Sequence, residues 1–349
     1  MTRLKLIRYA LALMMIGLMV GVSQWLEQPE VLFPEMAALA LGLWVADKRI
    51  WLVSRPMLVI LMTVCAVFGV LLVRYSPFPM LINVAISFVF TSLSLIITRT
   101  TLVPVTSAAM LPLLFGTDSL VYPLSVFIMC IIVVAGQWLL EKSALRQVII
   151  SGKKATHKGH NPKHWTKLLL YVLLIAALPL YIGKPLFIVP PLIVMFIEFS
   201  SSAAGFRNRP FQVYLLVVIA ATVGAIFQYY LHIVLGVSEA YTALLLSVCV
   251  FILFEIVGKL FVPASAIALV PMIIPESEVL AYPFQIAVGA AVFLFAAMFF
   301  FQKCYRWKRA HLVICFVPGF VRAKMDRPKR KERQAALLPQ VSQNNIYRP

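Results

Sequence analysis

Acidic residues are scarce in this chain: 13 Asp and Glu stand against 31 Lys and Arg, and charged residues of both signs make up only 13% of its 349 residues. With 62% hydrophobic residues and a mean hydropathy of +0.94, a water-soluble globule is excluded, because a chain of this length has no core able to hide so much apolar surface. Cysteine is also sparse. Cys65, Cys130, Cys249, Cys304 and Cys315 form no CxxC pair and fall mostly in apolar runs, so they read as small packing residues. Cys304 and Cys315 lie at a membrane edge, where acylation is the alternative. There is no Walker loop, dinucleotide fingerprint, HExxH or GxSxG. Nucleotide hydrolysis and the common hydrolytic chemistries therefore lack a motif, no cofactor is implied, and the chain does not read as an enzyme. His157, His160 and His164 have a metal-like spacing, but no cysteine or second cluster closes a site, so no metal centre is expected.

Long apolar runs, broken by proline, glycine or charge, fill most of the chain. They lack the alternation of an outer-membrane barrel and have the length of membrane-crossing helices. The fold class expected is all-α and polytopic, with about twelve spans. These run roughly over 6–26, 31–46, 56–73, 79–97, 101–115 and 120–140, then 167–182, 186–200, 210–231, 240–258, 261–275 and 280–301. With the N-terminus inside, every Lys and Arg except Arg74 and Lys184 falls on the cytoplasmic side, as the positive-inside rule requires. The net charge of +18 thus reflects orientation in a cell membrane, with both termini cytoplasmic, rather than nucleic-acid binding. Met1 to Leu26 resembles a secretory signal, but its counterpart at 167–182 argues for a retained first helix.

The chain also says nearly the same thing twice. Val103-Pro104-Val105-Thr106-Ser107-Ala108-Ala109-Met110-Leu111-Pro112, followed by Tyr122-Pro123, recurs as Val262-Pro263-Ala264-Ser265-Ala266-Ile267-Ala268-Leu269-Val270-Pro271, followed by Tyr282-Pro283. Phe33-Pro34 answers Val189-Pro190, Arg55-Pro56 answers Arg209-Pro210, and Gly69 answers Gly224. The units expected are a first six-helix repeat at 1–141, a basic linker at 142–166, a second repeat at 167–302 and a basic tail at 303–349. Both copies enter from the cytoplasm, so the duplication is parallel. The basic linker and tail find partners in the anionic lipids of the inner leaflet. The fifth span of each copy is short enough to be read as re-entrant, but that would place the two basic segments on opposite faces.

Proline-broken spans are the strongest functional candidates. Pro104 and Pro263 start a span, where a missing N–H costs little. Pro112 and Pro271 fall inside it and break the hydrogen-bond ladder. Such helices need protein or a hydrated path around them, and their ends favour anions. Thr106, Ser107 and Ser265 add hydroxyl donors, so these seven residues mark a substrate path; the bland alternative is close helix packing. Glu255 and Lys259, spaced i,i+4, are expected to pair. Arg55 and Arg209 head the third span of each copy, as topology anchors or as an entrance that concentrates anions. Glu35 and Glu198 would meet either a proton or cation in a cavity, or interfacial water.

The proline-headed segment of small residues, Val-Pro-Val-Thr-Ser-Ala-Ala and Val-Pro-Ala-Ser-Ala, with an Arg-Pro entry into a glycine-containing helix, resembles the HPP family of integral membrane proteins. The family's histidine is here Val103 or Val262, and its second proline is Val105 or Ala264, so only Pro104 and Pro263 carry over. The six-span unit with basic inner loops is also similar to the fusaric-acid-resistance and aromatic-acid-exporter superfamily. Both resemblances imply transport of small anions, nitrite in a plant member of the first and aromatic carboxylates in the second. A duplicated unit would fuse into one chain what single-unit relatives build as dimers.

A secondary or facilitative transporter for a small anionic or organic solute is the expectation. Its rival is a non-transporting scaffold or a lipid-modifying membrane protein, and a scaffold would depend on 303–349 where a transporter would not. Replacing Pro112 and Pro271 together by Ala should alter transport more than membrane insertion; unchanged flux in proteoliposomes would count against a path at these helices.

Overall fold

The computed structural model describes residues 3–147, 162–201 and 210–304. Within them the backbone is helical, without strands. Helix α1 (Arg3–Leu26) leads through a short 3-10 turn (Pro29–Val31) to α2 (Glu35–Ala40), which widens into a π-helical turn (Leu41–Val45). Then come α3 (Arg55–Tyr75), α4 (Met80–Ile97), α5 (Val105–Phe115) and α6 (Val121–Lys142). Helix α7 (Pro162–Tyr181) is followed by a 3-10 turn (Pro185–Ile188), α8 (Pro190–Ser201) and α9 (Pro210–Ile226), which continues as a π-helix (Phe227–Val234). Last are α10 (Glu239–Val257), α11 (Val262–Leu269) with a 3-10 end (Val270–Met272), the single turn α12 (Glu276–Val279) and α13 (Tyr282–Cys304).

Among the described residues, eight helices are long and apolar enough to cross a membrane: α1, α3, α4, α6, α7, α9 with its π-helical extension, α10 and α13. The sequence predicts twelve spans; the remaining four, α2, α5, α8 and α11, are shorter because prolines start or interrupt them. Outward faces of the long helices remain apolar. On α7, Leu170, Leu174 and Leu178 recur every four residues and are 68%, 72% and 66% exposed, a stripe suited to lipid rather than water. The short helices show the reverse. Every residue of α2 and α11 is buried, as is α5 from Val105 to Leu113.

Burial of these short helices solves a backbone problem. Pro112 has no N–H to give the carbonyl of Ala108 one turn back, and Pro271 has none for Ile267. An unpaired carbonyl in apolar surroundings is costly. The hydroxyl of Tyr122, at the start of α6, donates to Ala108 O at 2.9 Å, and that of Tyr282, at the start of α13, donates to Ile267 O at 2.8 Å. Both tyrosines are fully buried. Close approach is secured by glycine. A Cβ on Gly69 of α3 would overlap the carbonyl oxygen of Ala109, and one on Gly224 of α9 would overlap that of Ala268. Hence α3 packs on α5 and α6, and α9 on α11 and α13.

Contacts between the two parts of the chain are crosswise: α1 packs on α10, α4 on α7, α2 on α11 and α5 on α8, while α8 also touches α11. The four short helices therefore meet in the middle, ringed by long ones. Tyr122→Phe should cost about 1–3 kcal/mol by leaving Ala108 O unpaired, and adding Pro112→Ala, which restores the N–H, should recover much of the loss. Thermal unfolding of the two single variants and the double variant checks this; additive losses would sink the pairing argument.

Candidate functional site

Where the short helices meet, two acids line one small cavity. Pro34 begins α2 and sets Glu35 in its first turn. Glu35 is 2% exposed; Oε1 accepts a bond from the Ser107 hydroxyl on α5, while Oε2 has no hydrogen-bond partner. Helix α8 starts at Pro190 and carries Glu198 two turns further on. Glu198 is partly exposed, and its Oε1 accepts the indole N–H of Trp51 at 2.9 Å. The cavity is about 10 Å³, at the lower limit for a single water molecule. Besides the acids and Trp51 its wall is apolar: Ala38, Pro104, Pro191, Val194, Val262, Pro263 and Ala266.

Trp51 borders a second, larger cavity of about 360 Å³. The indole lies against Gly42, where a Cβ would come within 2.5 Å of the ring. Its loop is held by guanidinium groups. Arg49 donates to the carbonyl of Trp51 at 3.2 Å and to that of Val53 at 2.6 Å. Arg146 donates to Ala46 O at 3.2 Å, and Arg8 reaches Val45 O at 3.4 Å and Asp47 at 3.3 Å, so two arginines cap the carbonyl end of the π-helical turn after α2. Arg49, Arg55 and Arg146 line the larger cavity with Gln137 and a single acid, Glu141. Arg55 pairs with Glu141, whose other oxygen takes a bond from Gln137 at 2.8 Å and lies 3.8 Å from Arg146. Burial pulls the Arg146 guanidinium below its ordinary value, with Glu141 acting in the opposite sense, and Nε of Arg146 has no partner. Three guanidinium groups against one carboxylate leave this cavity positive, and its size suits a small organic ligand.

The residues singled out in the sequence fall in several places. Pro104 and Pro263 line the inner cavity. Ser107 is engaged by Glu35, Thr106 is buried with an unpartnered hydroxyl, and Ser265 donates to Val262 O at 2.7 Å within its own helix. Pro112 and Pro271 lie away from the cavity, at the carbonyls mended by Tyr122 and Tyr282. Arg55 borders the larger cavity. Arg209, His157 and His160 lie outside the described residues; His164 is on α7 beside Trp165. The pair expected between Glu255 and Lys259 is replaced by another: Glu255 meets Lys5 at 2.5 Å and accepts the Tyr9 hydroxyl at 2.8 Å, both from α1. The reason is local. Gly258, at φ 65°, ends α10 in a left-handed cap, so Lys259 is no longer one turn on along a helix. Among the described residues no three His, Cys, Asp or Glu side chains cluster to hold a metal.

Trp51, Arg49, Glu141 and Arg146 carry no weight in the sequence reading. The available signal was an indole inside a short basic loop, Lys48-Arg49-Ile50-Trp51, between two apolar runs. Compared with protein-family models, curated proteins and solved structures, the chain matches none. Function therefore rests on the site itself. Gly42→Val should push the indole off its seat and lower stability by about 1–3 kcal/mol, as overpacking does. Gly21→Val, in open space on α1, should cause no comparable fall in unfolding temperature.

Proposed function

We propose that this chain is a transporter of the cell membrane, secondary or facilitative, for a small anionic or organic solute. One observation carries the reading: a cavity of about 360 Å³ lined by Arg49, Arg55 and Arg146 ends at Trp51, beyond which four buried short helices converge on a second cavity. A low-dielectric cleft with a surplus of guanidinium groups concentrates anions. Arg55 stands at the end of α3 that charge asymmetry assigns to the cytoplasm, so the solute meets it first from inside. The crosswise contacts, together with the paired Tyr–carbonyl bonds and paired glycine approaches, support twelve segments arranged as two parallel six-helix units. The path follows the junction of those units, with Pro104, Thr106, Ser107 and Pro263 along it. The apolar outer faces are in lipid, and the basic linker and tail lie along the anionic inner leaflet.

Flux of labelled benzoate into proteoliposomes holding the full chain is the test. Uptake should saturate, and Arg55→Gln should raise the half-saturating concentration by about tenfold, the worth of one charged hydrogen bond. Arg74→Gln, at the opposite, exposed end of α3, should behave as the parent. Benzoate and other small carboxylates all moving no faster than in protein-free vesicles would overturn the reading.

A further inference from the structure

The inner cavity holds two acids and no basic partner for them among the described residues that line it. Facing Glu198 are Glu35 from α2, Trp51 from the loop before α3, Pro104 from α5, and Val262, Pro263 and Ala266 from α11. From α13 the titratable side chain described is Tyr282, whose hydroxyl is committed to Ile267 O. Arg49 and Arg55 line the other cavity, the one on which Trp51 also borders. Acids placed among helices in this way are expensive and generally carry protons or cations. Glu35 adds an independent sign of a guest: it is 2% exposed, lines the cavity, and has one oxygen without a partner. A metal ion asks for several oxygen ligands, and apart from the acids this wall is Trp51 with Ala, Val and Pro. A proton needs a single oxygen and almost no room.

We propose that Glu198 and Glu35 are the proton-binding groups of the transporter, and that a proton on Glu198 releases Trp51 from its seat between the two cavities. As a carboxylate, Glu198 accepts a charge-assisted bond from the indole N–H at 2.9 Å and holds Trp51 across the boundary. A proton taken from water onto a carboxylate oxygen removes the charge, and the bond falls to about half its strength. The indole then leaves Gly42, and the arginine-lined cavity joins the inner one, where Glu35 takes the next proton. No covalent bond other than O–H forms or breaks. The coupling of this proton to a solute rests on the transport reading above; the proton site does not.

The test therefore uses no solute. In the full chain with ¹⁵N-indole tryptophan, the Trp51 N–H resonance, assigned by its loss in Trp51→Phe, should shift as the pH falls from about 8 to about 4 and the carboxylate takes up its proton. In Glu198→Gln it should stay at its low-pH position. Glu198→Asp, which keeps an acid, should retain a titrating shift. A thiol placed by Ala38→Cys, on the inner cavity wall, should react with a small methanethiosulfonate several-fold faster when Glu198→Gln is added. A resonance that does not move with pH in the parent, or that still moves in Glu198→Gln, would overturn the proposal, as would equal labelling rates. Failure of benzoate flux with the pH-linked shift intact would sink transport and leave the proton site standing.

Discussion

A carbonyl that has lost its donor must find another, and in this protein a tyrosine supplies it. Pro112 and Pro271 each free a carbonyl one turn back, and Tyr122 and Tyr282 each reach over from the next long helix to pair it. In water such a carbonyl would simply be hydrated. Among apolar helices it has to be met by protein, and the side chains of Tyr122 and Tyr282 span from α6 to α5 and from α13 to α11 to meet it. Glycine at 69 and 224 then lets α3 and α9 close over the same turns, backbone against backbone. The burial of α5 and α11 follows from this repair, because a broken helix can sit only where others enclose it.

Charge is sorted by the same enclosure. Guanidinium groups gather at one end, where Arg8 and Arg146 close the carbonyls left open by the turn after α2, Arg49 holds those of Trp51 and Val53 in the following loop, and Arg55 offsets Glu141. These groups serve the fold first. Yet capping uses up only part of each guanidinium, so a helix end and loop that need many backbone caps become a positively lined cavity as a by-product. The acids Glu35 and Glu198 sit deeper, in an apolar wall where attraction and repulsion are both screened less than at the surface. Trp51 separates the two regions, with its ring on a glycine and its N–H on an acid.

Much of the scaffold was legible in the sequence. Helical character, the positions of the long spans and the odd shortness of 101–115 and 261–275 all followed from apolar run length and proline spacing. The recurring Tyr-Pro was visible as a pattern, but its purpose was not, since the carbonyl it serves lies 14 or 15 residues away on another helix. The site was less legible. Trp51 and Glu198 are 147 residues apart, and no local periodicity links a loop indole to an acid on a different helix. Glu255 and Lys259 misled for the opposite reason: the spacing was right, but a glycine cap ended the helix between them.

The aligned positions explain why one tryptophan can divide the two cavities. In the register that matches Pro34 with Pro190, Glu35 corresponds to Pro191, Ala38 to Val194 and Gly42 to Glu198; in the register of the broken helices, Pro104 corresponds to Pro263 and Ser107 to Ala266. Each of these residues lines the inner cavity or touches one that does. Residues at matching sequence positions therefore come together around one point. Trp51 is met by Gly42 on one side and by Glu198 on the other. The position that supplies a flat seat in the first half of the sequence supplies a hydrogen-bond acceptor in the second. Glu35 against Pro191, Ser107 against Ala266 and Gly42 against Glu198 are different residues at matching positions, and the last difference gives the junction a polar handle. A second glycine at 198 would leave the indole N–H unpaired, and a glutamate at 42 would leave the ring no room.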